Sequence, residues 1–474
     1  MRARKRPSAG IAKCPTGIRG LDEVTNGGLP RGRPTLLCGG AGSGKTLLAM
    51  EFIVRGARDY GEPGVFVSFE ETSDELAANV ASLGFDLPTM VKQKQLELDY
   101  VRIERSEIEE TGEYDLSGLF VRLASAVESV GAKRVALDSL EALFAGLPNE
   151  AILRAELRRL FSWLKQRGLS AVITAEQGRG TLTRYGMEEY VSDCVIFLDH
   201  RVVNQVATRR LRIVKYRGSA HGTNEYPTMI DETGLSVLPI SSLGLDYVVS
   251  KQRISTGVAE LDAMFGDKGY YRGSSVLISG TAGTGKSSFA AAFADEACRR
   301  GERCLYLAYE ESPPQIVRNM ASIGFDLAHW VKQERLRFHA VRSTLYGLEQ
   351  HLVAIHKLVE EFGPDCVVMD PVTNLTSIGD RAEITAMLSR VIDYLKQQGI
   401  TAVFTSLTEG GSANEGTDVG ISSLMDTWLE VRQEKVSGER RRLLSILKSR
   451  GMAHSSAVRQ FTLSDKGIRM EEAT

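Results

Sequence analysis

A chain of 474 residues, 43% hydrophobic and 25% charged, is ordinary for a folded protein in water and long enough to bury large cores. Its formal net charge of −2 argues against a surface built throughout for nucleic acid, although a local basic face stays open. No uninterrupted apolar run approaches the roughly 18 residues of a membrane span. The basic opening MRARKRPSAG lacks the apolar region of a signal peptide. Six scattered cysteines (Cys14, Cys38, Cys194, Cys298, Cys304, Cys366) show no paired metal spacing, so a cytoplasmic protein with reduced, mostly buried thiols is expected.

Past the basic tail, CPTGIRGLDEVTNGGLPRG (14–32) leads into a short apolar run, PTLLC, and then GGAGSGKT at 39–46. The last fits G-x-x-x-x-G-K-[ST], placed between a strand-like run and a helix-like stretch as a phosphate-binding loop requires. Gly42, Ser43 and Gly44 let backbone N–H groups curl round phosphates, and the helix N-terminus adds partial positive charge. Lys45 would reach the β- and γ-phosphates of ATP, and the Thr46 hydroxyl would ligate Mg²⁺. Next, VFVSFEE ends a strand-like run in Glu70 and Glu71, carboxylates suited to polarise the group that attacks the γ-phosphate. Asp138 closes VALD, where it can hold Mg²⁺ through water. Amphipathic stretches such as AILRAELRRLFSWLKQRG (151–168) alternate with the β-branched runs, and KYRGSAH brings Lys215, Arg217 and His221 near the end of the half.

All of this recurs. ISTGVAELDAMFGDKGYYRG (254–273), SSVLIS and GTAGTGKS (280–287) supply Gly283, Thr284, Gly285, Lys286 and Ser287. YEE supplies Glu310 and Glu311, VVMD ends in Asp370, and KSRGMAH carries Lys448, Arg450 and His454. The spacing between copies is 241 positions for Lys45 and Lys286, 240 for Glu70 and Glu310, and 233 for Lys215 and Lys448. Two homologous domains follow, 8–243 and 244–474, joined near PISSLGLDYVVS (239–250). Each is expected to be α/β, a mainly parallel sheet flanked by helices with its ligand at the carboxyl ends of the strands. A basic trio so far along the chain from its phosphate loop can serve ATP held by a neighbouring subunit, where an arginine from outside stabilises phosphoryl transfer.

The paired phosphate loops, the F/Y-E-E runs and the repeated K-x-R-G-x-x-H together resemble the KaiC family of bacterial circadian clocks, over about Pro15 to Gly467. The resemblance implies two tandem RecA-like P-loop NTPase domains, ATP and Mg²⁺ as cofactors, and two stacked rings of six subunits with ATP at each boundary. It further implies a first domain that is a slow ATPase and a second that phosphorylates and dephosphorylates its own side chains.

The halves also differ. At the spacing of 233, Glu189 and Tyr190 lie opposite Ser422 and Ser423, so only the second half offers aliphatic hydroxyls; these match the family's adjacent phosphoacceptors. The first half is eight residues longer between Glu71 and Asp138 than the second between Glu311 and Asp370. The excess falls in the acidic ERSEIEETGEYD (104–115), usually only a solvated loop, but in the family the region where a KaiB-like partner docks. After SDKG the sequence ends at IRMEEAT, shorter than the family's KaiA-binding tail, so no KaiA-type stimulator is expected and stress or environmental signalling stands beside a clock role. A DNA-dependent ATPase on the same core is the rival. It would use Arg179, Arg184 and Tyr185, but their counterpart TEGGSANEGTDVG has no basic residue. A scaffold that binds ATP without turnover would not need two glutamate pairs.

Overall fold

The computed structural model describes residues 10–101, 117–144, 150–184, 186, 191–203, 206–239, 249–408, 421–436 and 439–472. The acidic stretch 104–115, the pair Glu189 and Tyr190, Tyr185 and most of the 239–250 joint lie outside them. Contacts divide the chain into two compact units that change over at Ser242–Leu243.

In the first unit β1 (Lys13–Cys14) pairs with β2 (Leu29–Pro30). Then come β3 (Pro34–Gly39), β4 (Gly64–Ser68), β5 (Leu96–Tyr100), β6 (Arg134–Asp138), β7 (Ser170–Glu176), β8 (Cys194–Val203), β9 (Val206–Tyr216), β10 (Glu225–Asp231) and β11 (Gly234–Val237). They form one sheet in the order β11-β10-β9-β8-β3-β7-β6-β4-β5. From β8 to β5 every pairing is parallel, and β9 to β11 continue antiparallel.

Side chains alternate across the sheet. Leu37, Phe66, Ala136, Val172 and Ile196 pack on one side with Phe52 and Ile53 of the helix Lys45–Tyr60. Leu36, Cys38, Val65, Val135 and Ile173 pack on the other with Leu157 and Phe161 of the helix Glu150–Gln166. With both faces covered, the strands read as continuous apolar runs rather than as alternating ones. The phosphate loop leaves the carboxyl end of β3, the position expected for a ligand in such a sheet.

The second unit repeats the pattern with β12 (Arg253–Ile254), β13 (Tyr270–Tyr271), β14 (Ser275–Gly280), β15 (Cys304–Ala308), β16 (Leu336–Ala340), β17 (Cys366–Asp370) and β18 (Thr401–Leu407). It continues with β19 (Thr427–Val436), β20 (Glu439–Ser449), β21 (Arg459–Ser464) and β22 (Gly467–Glu472). The sheet order is β16-β15-β17-β18-β14-β19-β20-β21-β22, the same path as in the first unit. The repeated glycine-bearing opening has a steric basis: Gly28 and Gly269 both have positive φ (114° and 68°). A Cβ on either would come within 2.2 Å of a carbonyl, Cys14 O or Ile254 O, on the partner strand. All six cysteines are buried and none is in a disulfide. Among the described residues no helix is long and apolar enough to cross a membrane.

Candidate active site

Each phosphate loop is a run of turns that only glycine adopts without strain: Gly42 and Gly44 have φ of 70° and 101°, Gly283 and Gly285 of 75° and 107°. The helices that follow begin at Lys45 and Lys286, which aims their unpaired N–H groups into the loop. Lys45 Nζ donates to the carbonyls of Gly39 and Gly40, both at 2.9 Å, and Lys286 Nζ donates to Thr281 O at 2.7 Å. Each ammonium thus rests on its own loop, where phosphate oxygens could replace the carbonyls. Burial pulls Lys286 down to about 8, against the opposing pull of Asp370 and Glu310. The loops differ in how the hydroxyl before Gly44 and Gly285 is used. Thr284 donates to Thr281 O at 2.8 Å, whereas Ser43 Oγ is buried with no hydrogen-bond partner.

The carboxylates follow the strand ends. In the first domain Ser139 Oγ donates to Glu70 Oε1 at 2.8 Å, and Asn79 Nδ2 donates to Glu71 Oε1 at 3.2 Å. In the second, Asn319 Nδ2 donates to Glu311 Oε2 at 3.0 Å, but Pro371 follows Asp370 as Ser139 follows Asp138 and has no hydroxyl for Glu310. Neither glutamate pair caps the helix after it. Thr72 with Glu75 and Ser312 with Gln315 do that, the side chains of Glu75 and Gln315 accepting from the backbone N–H of the capping residue at 2.8 and 3.0 Å. Burial, and then the neighbouring Asp138, push the Glu71 carboxyl up.

Asp138 and Asp370 sit where a parallel register brings hydroxyls to them. Asp138 accepts from Thr174 Oγ1 on β7, while burial pushes its carboxyl up. Asp370 accepts from Thr405 Oγ1 on β18 and, at 2.6 Å, from the phenol of Tyr306 on β15. Together with Lys286, Ser287, Glu310 and Glu311, Tyr306 and Asp370 line a cavity of about 350 Å³ at the second phosphate loop.

For Mg²⁺, the hydroxyl and carboxylate pairs Thr46/Asp138 and Ser287/Asp370 offer the hard oxygen donors this ion takes, so the residues fit it. Among the described residues no group of three His, Cys, Asp or Glu side chains could hold a metal ion unaided. The ion would therefore share its shell with nucleotide phosphates. The sequence reading missed Ser139, Thr174, Tyr306 and Thr405, whose roles depend on which strands lie side by side. Thr174 and Thr405 left a trace as the repeated threonine of AVIT and AVFT, and Tyr306 as the counterpart of Phe66 when the halves are aligned.

The repeated basic trio is elsewhere. Lys448 lies on β20 opposite Trp428 of β19, and the hairpin carries it beside the turn that precedes β19. Lys448 Nζ donates to Ser422 O at 2.8 Å, and Arg450 Nη2 donates to Ser423 O at 2.7 Å. Arg450 N donates to Asp426 O at 2.7 Å, as Arg217 N does to Asp193 O at 2.8 Å. His221 and His454 face carbonyls two residues back, Ser219 O and Met452 O, each at 3.4 Å. Arg217 lies 3.7 Å from the Asp193 carboxylate, and Lys215 is the last residue but one of β9. Lys448, Arg450, His454, Ser422 and Ser423 form none of the lining of the cavity at their own chain's phosphate loop. Within one chain the structure joins Lys448 and Arg450 to the serines, and none of these lines the cavity of Lys286, Glu310 and Glu311.

Comparison with known proteins agrees with the two-fold pattern. The family model "ATPase: KaiC" matches twice, over residues 14–242 and 254–474. The circadian clock protein KaiC2 of Synechocystis sp. is 58% identical over 468 residues, which is 98% of this chain and 82% of that protein. The circadian clock oscillator protein KaiC of Synechococcus elongatus is 36% identical over 98% of this chain and 90% of its own, and KaiC3 of Synechocystis sp. is 36% identical over 97% and 92%. With two phosphate loops on two matching sheets and a family model that covers both, the chain belongs to the KaiC ATPase family.

Proposed function

We propose that this ATPase is a self-phosphorylating serine/threonine kinase of the KaiC type, in which domain 8–243 hydrolyses ATP and domain 244–474 transfers phosphate to Ser422 and Ser423. Its subunits close into a ring, six by resemblance, and each ATP is completed by a neighbour's basic trio. The observation that carries this reading is the pairing of Lys448 and Arg450 with the backbone of Ser422 and Ser423, outside the chain's own ATP cavity. Cations that reach a neighbour's γ-phosphate would bring the hydroxyls of both serines with them.

The chemistry is then divided between two chains. Gly283, Thr284, Gly285 and Lys286 hold the phosphates, and Ser287 and Asp370 would hold Mg²⁺, which neutralises charge as it develops. From the adjoining chain come the serine hydroxyl, Lys448, Arg450 and His454. The hydroxyl oxygen forms a bond to the γ-phosphorus while the bond from that phosphorus to the β,γ-bridging oxygen breaks. The serine proton passes to Glu310 or Glu311, and ADP leaves. In the first domain water takes the place of the hydroxyl. There Glu70 or Glu71 receives its proton, Gly42, Ser43, Gly44 and Lys45 hold the nucleotide, Thr46 and Asp138 would hold Mg²⁺, and Lys215, Arg217 and His221 approach from the neighbour. Service in circadian or stress signalling, a KaiB-like partner at 104–115 and a cytoplasmic location belong to the same proposal.

Incubation with γ-labelled ATP and mapping of the label is the test. Ser422→Ala/Ser423→Ala should remove most of the label and leave phosphate release largely intact. Label that persists in that protein would refute the assignment. A DNA-dependent ATPase gains nothing from these observations, since the second domain's counterpart of Arg179 and Arg184 carries no basic residue.

A further inference from the structure

We propose that Tyr306 is a positioning residue for the metal of the second ATP site, which it serves by fixing the Asp370 carboxylate. The inference rests on the ATP sites proposed above. Tyr306 lies in the middle of β15 as the partner of Val368, so Asp370, two residues further along β17, is its diagonal neighbour on the same face. Its side chain is fully buried and packs against Phe338 with ring centroids 5.2 Å apart. Held this way, the phenol has little freedom except to donate to Asp370 Oδ2. Thr405 holds Oδ1, so both carboxylate oxygens receive a neutral donor. Each oxygen still has a lone pair free to accept from a metal-bound water.

The first domain has no such second donor. Phe66 stands in the place of Tyr306, buried in the same register opposite Ala136, and offers no donor. Thr174 ties Oδ1 of Asp138 as Thr405 ties Oδ1 of Asp370, and no phenol stands there to tie Oδ2. The second domain therefore presents a carboxylate with both oxygens tied before the metal arrives, and the first a carboxylate tied at one. Residues that orient a ligand from behind commonly change metal affinity by about 10–100-fold.

The experiment uses the full chain saturated with a non-hydrolysable ATP analogue, titrated with Mn²⁺ as a spectroscopic stand-in for Mg²⁺ and read by electron paramagnetic resonance. Two bound ions per chain are expected, one for each domain. Tyr306→Phe should weaken one of them about tenfold, leave the other unchanged, and leave metal-free binding of the analogue as it was. The last readout separates positioning from a packing defect, which would weaken the analogue as well. The Phe66 ring in the equivalent place is the reason to expect the variant to fold. An unchanged isotherm, or equal weakening of both ions, would overturn the inference. Should Tyr306→Phe not fold, Phe66→Tyr takes its place; it should tighten the other ion, and an unchanged isotherm there is equally fatal. Fewer than two ions in the unaltered protein would instead refute the two ATP sites themselves.

Discussion

Glu70 and Glu71 are adjacent in sequence, yet the structure treats them differently, and the difference predicts which one takes the proton. Glu71 is tied to Asn79 on the following helix, as Glu311 is to Asn319, an arrangement that repeats at 3.2 and 3.0 Å and reads as an anchor. Glu70 is exposed and is oriented by Ser139, whose neighbour Asp138 is a proposed metal ligand. Glu70→Gln preserves size and can still accept from Ser139 while removing the base, so phosphate release from the first domain should fall by about 10²-fold or more. Glu71→Gln keeps the bond to Asn79 and should cost less than about fivefold, the worth of about 1 kcal/mol. Ser139→Ala removes one hydrogen bond to an exposed carboxylate and should cost a similar amount. The assay is steady-state phosphate release by the full chain in a Glu310→Gln/Glu311→Gln background, which silences the second domain. A Glu71→Gln variant as impaired as Glu70→Gln, or a Glu70→Gln variant within tenfold of its parent, would refute the assignment.

Completion in trans predicts complementation: Lys286→Ala and Lys448→Ala chains, each nearly unable to label itself, should recover labelling when mixed, because some boundaries then pair an intact phosphate loop with an intact trio. Stability offers a separate check. Arg134 is fully buried and pairs with Glu62 at 2.7 Å, so Glu62→Gln leaves a buried cation without its counter-charge and should cost the first domain roughly 3–5 kcal/mol, read as a lower denaturant midpoint. Gly269→Ala places a Cβ 2.1 Å from Ile254 O at a positive φ and should lower the second domain's melting temperature, with strain of about 1–3 kcal/mol.

The motifs legible in the sequence are those whose chemistry lies within a few consecutive residues. A phosphate loop is one: Gly42, Gly44 and Lys45 make their turn and begin their helix whatever surrounds them, so the spacing alone announced two such loops. The alternation of apolar runs and amphipathic stretches likewise announced a mainly parallel sheet, because covering both faces of a strand leaves it apolar throughout. What remained hidden depended on the order of strands. Tyr306 meets Asp370 across 64 positions and Ser139 meets Glu70 across 69, because β15 lies beside β17 and β4 beside β6. Lys448 and Arg450 meet the serines' carbonyls because β19 and β20 form a hairpin, which fixes where a turn before the first strand must lie relative to the end of the second. Local geometry comes from neighbouring residues, but which carboxylate meets which hydroxyl is settled only when burial of the sheet's two faces selects one strand order and one register.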